Sequence, residues 1–209
     1  MSLSKVPDKA NEILELAWAN YHAGDFENVL SQLEGLAPTG TYQKLKGLAH
    51  FQLGQYQAAQ TSLHAFAKQT DAPLDWFSLS TTAAMAGQAA LALEAFGHCK
   101  GKYPGSDAEK TLSLPLLHWY FLKAMVTAGF SSQLEPVLEF LVESFELAKI
   151  TDSHYLSSRG LPDWEGFLEV LWPTLDALPP DNANAILTRL REAVDTPGRS
   201  SLNKRPSAN

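Results

Sequence analysis

Apolar residues recur along this chain at intervals of three and four from about residue 9 to residue 194, and the polar breaks between runs are short. That period belongs to amphipathic helices, not to strands. Asp8 is read as the N-cap of a helix over 9–23, with Ile13, Leu14, Leu16, Ala17 and Tyr21 at helical spacing. Gly24 and Asp25 turn the chain into a partner helix over 26–36 with Val29, Leu30 and Leu33 inward, and Pro38 and Gly40 punctuate. A second pair is predicted over 42–53 and 56–68, with Gly54 at its turn, Gly47 and Ala59 as small residues at the crossing, and Leu63 as the large one. A third spans 74–105. Trp76, Leu79 and Ala83 share one side of its first helix, Gly87 turns the chain, and Ala92 and Phe96 face back before Pro104 stops the second. Small residues at a crossing let two backbones approach, and large ones a turn away fill the remaining gaps.

The pattern loosens after residue 105 but stays helical. Ser106 to Glu109 reads as a capping box, and Pro115 either kinks that helix or begins a new one at its first turn. Residues 116–128 are apolar on most sides, and Gly129 turns into a helix over 132–149. Residues 151–160 read as a polar loop. Asp163 caps a helix to Leu178 that carries Trp164, Phe167, Leu168, Leu171 and Trp172, in which Pro173 predicts a kink or an early end. A last helix covers 182–194, and 196–209 reads as a mobile basic tail. The expectation is about ten helices and no strand.

The turn glycines Gly24, Gly54 and Gly87 are 30 and 33 residues apart, and each turn has the same grammar. The third unit resembles a tetratricopeptide repeat, whose signature of about 34 residues begins W-x2-L-G and ends A-x3-F…P. Trp76, Leu79, Ser80, Ala92, Phe96 and Pro104 stand at its positions, while Ala83 replaces its tyrosine. The likeness covers roughly residues 10–105. It implies an all-α fold, a TPR-like right-handed superhelix of antiparallel helix pairs with a C-terminal helical cap. The expected organisation is a single all-α domain over 1–195, with three TPR-like pairs over 9–105, a looser fourth pair over 106–150 and the cap over 161–195.

The resemblance also implies a concave groove lined by the first helix of each pair. Its positions are Asn11, Leu14, Trp18, Tyr21 and His22, then Thr41, Lys44, Leu48, Phe51 and Gln52, then Leu74, Phe77, Thr81, Ala84 and Met85. Repeats that grip the carboxylate tails of heat-shock chaperones carry Lys, Asn and Arg at five such places. Here those places hold Leu14, Trp18, Leu45, Leu74 and Ser78, so that activity is not expected. An aromatic and aliphatic lining suits an apolar peptide or helix. In this it is similar in character to the repeat-containing chaperones of bacterial secretion systems. The expected function is a non-enzymatic adaptor or chaperone that holds a protein or peptide client on Leu14, Trp18, Tyr21, Leu48, Phe51, Phe77 and Met85. The alternative is a structural subunit that uses the same surface for self-assembly, as a homo-oligomer. The chain's own C-terminal helices are a third candidate to cover it.

Composition narrows the picture further. The 209 residues are 45% hydrophobic and 19% charged, enough for a sizeable core and against general disorder. The net charge is −7, and residues 196–209 hold Arg199, Lys204 and Arg205 with no acid, so the body is more acidic still. An acidic body repels a phosphate backbone, and no nucleic-acid partner is expected. No run of 18 apolar residues and no apolar segment behind a basic start is present, so neither membrane nor export is expected. A single cysteine, Cys99, cannot form an internal disulfide and fits a reducing compartment, which makes the cytoplasm the expected location.

Candidate chemistry is sparse. No nucleophile elbow, phosphate-binding glycine loop, dinucleotide fingerprint or zinc-binding histidine pair occurs, so no enzyme, cofactor or metal is expected. His98 and Cys99 are neighbours, but adjacent helix positions point about 100° apart, and Cys99 reads as a core thiol. Glu135, Glu139, Glu143 and Glu146 make an acidic stripe along one helix. It reads as a solvated outer face, with a docking strip for a basic partner as the alternative.

Overall fold

The computed structural model describes residues 9–37 and 39–204. The caps and breaks assigned to Asp8 and Pro38 and the charge of Arg205 lie outside that range. Within it are thirteen α-helices, one 3-10 turn and no strand. Their contacts group the chain into two compact units, Met1–Lys100 and Gly101–Asn209, where the sequence reading expects one domain.

The first unit holds α1 (Lys9–Ala23), α2 (Phe26–Leu33), α3 (Gly40–Gln52), α4 (Tyr56–Thr70), α5 (Pro73–Met85) and α6 (Ala89–Lys102). Each of its three turns is built on the glycine that the sequence points to. Gly24, Gly54 and Gly87 have φ of 80°, 70° and 80°, a region that costs a side-chain-bearing residue energy and glycine almost none. The same pair of hydrogen bonds closes every turn. The N–H after the glycine reaches back five residues, from Asp25 to Asn20 O, Gln55 to His50 O and Gln88 to Ala83 O, at 2.8–3.0 Å. This is the Schellman arrangement, which satisfies carbonyls that a helix end leaves open.

The turns set a register for the packing. Seven residues before each glycine stand Ala17, Gly47 and Ser80, and five after it stand Val29, Ala59 and Ala92, all of them buried. Nine after come Leu33, Leu63 and Phe96, the large residues of the same crossings, also buried. Gly47 marks the closest approach: a Cβ there would lie 2.6 Å from Leu63 Cγ and 3.3 Å from the carbonyl oxygen of Ala59. Between pairs, Trp76 on α5 sends its indole N–H to Asp71 Oδ1 at 2.9 Å, and Asp71 is the left-handed C-cap that ends α4. The same indole stacks on His98 of α6 at 4.5 Å.

The second unit contains α7 (Ala108–Thr111), α8 (Leu114–Thr127), the 3-10 turn Ser131–Gln133, α9 (Glu135–Ala148), α10 (Ser153–Ser158), α11 (Trp164–Asp176), α12 (Pro180–Ala193) and α13 (Thr196–Leu202). Gly129 repeats the glycine turn, with φ 82° and Phe130 N–H reaching Met125 O, and Leu122, Leu134 and Leu138 take the buried places. The 3-10 turn Ser131–Gln133 stands where the other pairs begin their second helix directly. Pro115 sits in the first turn of α8, which Ser113 caps by accepting from Leu116 N–H. The core is Phe121, Phe145 and Phe167, with Phe145 and Phe167 rings 4.4 Å apart, and Trp119 of α8 donates to Gly166 O of α11 at 2.9 Å.

Several expectations are corrected here. Glu109 reaches back to Gly105 N–H, not to Ser106, whose hydroxyl instead donates to Tyr103 O, so the capping box is not formed. Residues 153–158 form a helix, capped by Asp152 accepting from Tyr155 N–H. Asp163 caps α11 as expected, and the helix runs through Pro173 but ends three residues later. Residues 196–202 are not a tail. Asp195 caps them as α13, and Leu202 is buried. The Asp195 carboxylate also takes both the hydroxyl (2.7 Å) and the N–H (3.2 Å) of the buried Thr151, which ties α13 to the end of α9.

Two substitutions at glycine separate packing from propensity. Gly47→Ala is expected to lose about 1–2 kcal/mol, since overpacking outweighs the gain in helix propensity. Gly97→Ala, where a Cβ meets nothing within 4 Å, is expected to gain about 0.5–1 kcal/mol. Urea denaturation of both reads the signs, and the same sign for both would place the close crossing elsewhere. Burial pushes the Asp195 carboxyl upward, but hydrogen bonds from the Thr151 hydroxyl and the Gly198 and Thr151 N–H groups, with Arg199 nearby, hold it below its ordinary value. Its contribution to stability is therefore complete above the unfolded carboxyl pKa of about 3.9 and is lost as pH falls through the lower folded value. Asp195→Asn should lower stability at pH 7 and flatten its fall between about pH 5 and 2, as measured by urea midpoints across that range.

Candidate functional site

Helices α1, α3 and α5 carry the seven residues expected to hold a partner. Leu14, Trp18, Tyr21, Leu48, Phe51, Phe77 and Met85 are all half-buried, neither in the core nor fully in solvent. Their spacing explains this, because each lies within about one turn of a buried residue of its own helix (Ala17, Gly47, Ser80 or Ala84), on the edge of that helix's apolar face. Of the wider set of groove positions only Ala84 is buried; Asn11, His22, Thr41 and Gln52 are exposed.

Part of this surface is already occupied by its own chain. Leu14, Trp18 and Tyr21 pack on the core formed by Ala17, Val29, Leu33, Leu45 and Ala49. Tyr21 meets Trp18 and Phe26 edge-on at 5.7 and 5.4 Å, and Phe51 meets Tyr56 likewise at 5.4 Å. Gln52 donates to the Tyr21 hydroxyl at 3.4 Å, which brings the α1 and α3 residues together. Among the described residues, Phe77 stacks on neither Phe51 nor Tyr21, so the face is two aromatic patches, with Lys44 reaching from α3 to α5.

Lys44 is the residue whose role periodicity does not reveal. Its ammonium lies 3.3 Å from Asp75 Oδ1, while Asp75 Oδ2 accepts from Thr70 Oγ1 at 2.8 Å. The same ammonium stands over the Phe66 ring at 5.3 Å. One ion pair thus joins α3, α4 and α5 and neutralises the one lysine or arginine at the groove positions among the described residues. The five places that would grip a carboxylate tail carry no cation. Leu45 is buried outright, and Ser78 turns its hydroxyl to Leu74 O at 2.9 Å. The other hydroxyls of α5 behave alike: Ser80 and Thr82 donate to carbonyls of their own helix at 2.7 Å. None is directed at a base.

Cys99 is buried, and burial pushes its thiol up to about 12 against a weaker pull from Lys100. Its neighbour His98 faces outward onto Trp76. No group of three or more His, Cys, Asp or Glu capable of holding a metal occurs among the described residues, and no helix there is long and apolar enough to cross a membrane.

The glutamate stripe is neither a solvated face nor a strip awaiting a basic partner. Arg189 of α12 forks onto Glu146, Nε to Oε1 at 2.8 Å and Nη2 to Oε2 at 2.9 Å, and reaches Glu139 Oε2 with Nη1 at 2.7 Å. Asn182 donates to Glu135 Oε1 at 2.7 Å. Only Glu143 is left exposed. Hydrogen bonds to Glu146 and Glu139 hold the guanidinium charged more firmly than in a free arginine. The single arginine that faces the stripe lies some 50 residues away in sequence, a separation that helical periodicity does not bridge.

The chain matches no protein-family model, no curated protein and no solved structure, so its function is read from its own geometry.

The stripe gives a direct test. Arg189→Ala should cost about 1 kcal/mol, because it removes the bidentate pair with Glu146, which solvent partly screens, and Glu139→Lys about as much, because it sets a second cation against Arg189. Glu143→Lys should stay within about 0.5 kcal/mol, as a surface change away from any partner does. Chemical denaturation at low and high salt reads this, with the first two losses shrinking as ions screen the pair.

Proposed function

We propose that this protein is a non-enzymatic binding module, an adaptor or chaperone, that holds an apolar peptide or helix of another protein on the face formed by α1, α3 and α5. The observation that carries the reading is the half-buried aromatic and aliphatic set on three successive first helices, with its one central cation already neutralised by Asp75. Large aromatic side chains give contact area at low entropic cost, and binding hot spots concentrate in them. The in-register glycine turns and small crossing residues support a tetratricopeptide-like superhelix, in which such a face would be concave. A reducing compartment such as the cytoplasm suits the lone buried thiol of Cys99.

Self-assembly through the same face is the second reading, favoured by the general rule that soluble monomers seldom leave a large apolar surface bare. The engagement of Trp18 and Tyr21 with their own core shifts the expected anchors to Phe51, Phe77 and Met85. Comparison of wild type with Phe51→Ala/Phe77→Ala by quantitative mass spectrometry of material copurified from native extract separates the two readings. A client lost from the double variant, then bound in titration with each single change costing about 1–2 kcal/mol and little salt dependence, is the expected outcome. A client retained by the double variant but lost with Glu143→Lys would move the site to α9.

A further inference from the structure

The second unit has an opening of its own that its fold does not need. Pro115 of α8, Ser144, Leu147 and Ala148 of α9, and Leu161 line a cavity of about 300 Å3, together with Tyr155 of α10 and Arg159, the C-cap of that helix. Leu147 is 84% exposed, far more than any other large apolar side chain among the described residues, and Ile150 beside it is also exposed. A leucine left in water at the mouth of an apolar recess contributes little to stability, so its value lies in what it can cover. The volume is at the lower end for a binding pocket and accommodates one or two side chains.

The charge at the rim selects the occupant. The Arg159 guanidinium lies 5.4 Å from the Tyr155 ring centre, and among the described residues it pairs with no carboxylate. Carboxylates on either side of it in sequence are engaged: Asp163 caps α11, Asp152 caps α10, and Glu146 holds Arg189. Glu143, one turn before Leu147, and Lys149, the left-handed C-cap of α9, are exposed but do not line the recess. A chain with a net charge of −7 thus presents, at this recess, a guanidinium that no carboxylate pairs with among the described residues.

We propose that this recess is a second docking site, for an acidic amphipathic helix of a partner protein. One leucine-sized side chain of that helix fills the cavity against Leu147, and a glutamate or aspartate one turn away pairs with Arg159. A guanidinium stacked on an aromatic ring is held in place for a bidentate carboxylate contact, and opposite charge at a rim sets specificity more than it sets affinity. The site is independent of the face on α1, α3 and α5.

The test uses the full chain and two fluorescein-labelled fourteen-residue helical peptides with leucine at every third and fourth position, one bearing glutamate and one lysine between the leucines. Fluorescence anisotropy should show the glutamate peptide binding about tenfold more tightly than the lysine peptide, with the preference falling as salt rises. Leu147→Asp, at an exposed position where the fold survives (checked by circular dichroism), should weaken the glutamate peptide about tenfold. Arg159→Glu should reverse the preference between the peptides, whereas Arg159→Lys keeps its sign, and Phe51→Ala/Phe77→Ala should change nothing. Glutamate-peptide binding that is absent, indifferent to Leu147 and Arg159, or abolished by Phe51→Ala/Phe77→Ala overturns the proposal. So does full displacement of the peptide by octanoate at the peptide's own concentration, which would make the site one for small carboxylic acids. Sedimentation showing self-association that Leu147→Asp removes would make the occupant a second copy, and also overturns it.

Discussion

Close approach of paired helices is the constraint from which the rest of the first unit follows. Glycine at each turn allows the left-handed residue that ends one helix and starts the next after a single polar position. The fixed length of that turn puts Ala17 opposite the region of Val29, Gly47 against Leu63 and Ala59, and Ser80 in register with Ala92. Because small residues take up the crossing, the larger ones on the neighbouring strip of α1, α3 and α5 cannot all be drawn inside. Trp18, Phe51 and Phe77 remain half-buried for this reason, and the candidate binding face is a by-product of how tightly the pairs are packed.

The second unit is held by different means. Its first pair keeps the glycine turn, but α12 and α13 are attached by charge: Arg189 across Glu139 and Glu146, and Asp195 around Thr151. Attachments of this kind respond to salt and acid in a way that apolar burial does not. They leave two apolar side chains at the end of α9 uncovered, since α12 covers the glutamate side of that helix while Leu147 and Ile150 are exposed. The recess beside Arg159 lies on that uncovered part.

Much of the fold was legible from local pattern. The bounds of α1 follow from its apolar spacing, and the turns at Gly24, Gly54, Gly87 and Gly129 fall where glycine has a conformational reason to stand. The repeat spacing puts Trp76 and Phe96 in the core, and both are buried. What local pattern missed depends on partners far along the chain. Nothing in the spacing of four glutamates indicates an arginine 43 to 50 residues away, and nothing in a basic C-terminal stretch indicates that Asp195 will cap it and bind Thr151. The site was legible only as a set of positions. Their half-buried state agrees with an edge-of-face reading, but the contacts of Tyr21 with Phe26 and Gln52, and of Lys44 with Asp75, come from tertiary structure alone.

The central claim is that the face on α1, α3 and α5 meets another polypeptide. Photo-activated crosslinking in the native cell tests it most directly, with benzoylphenylalanine placed in turn at Phe51, Phe77 and, on the exposed side of α4, Gln57. The account predicts a discrete higher-mass adduct containing a different protein from positions 51 and 77 and none from 57. Adducts from 57 alone, or no adduct with any other polypeptide from 51 and 77, would contradict it.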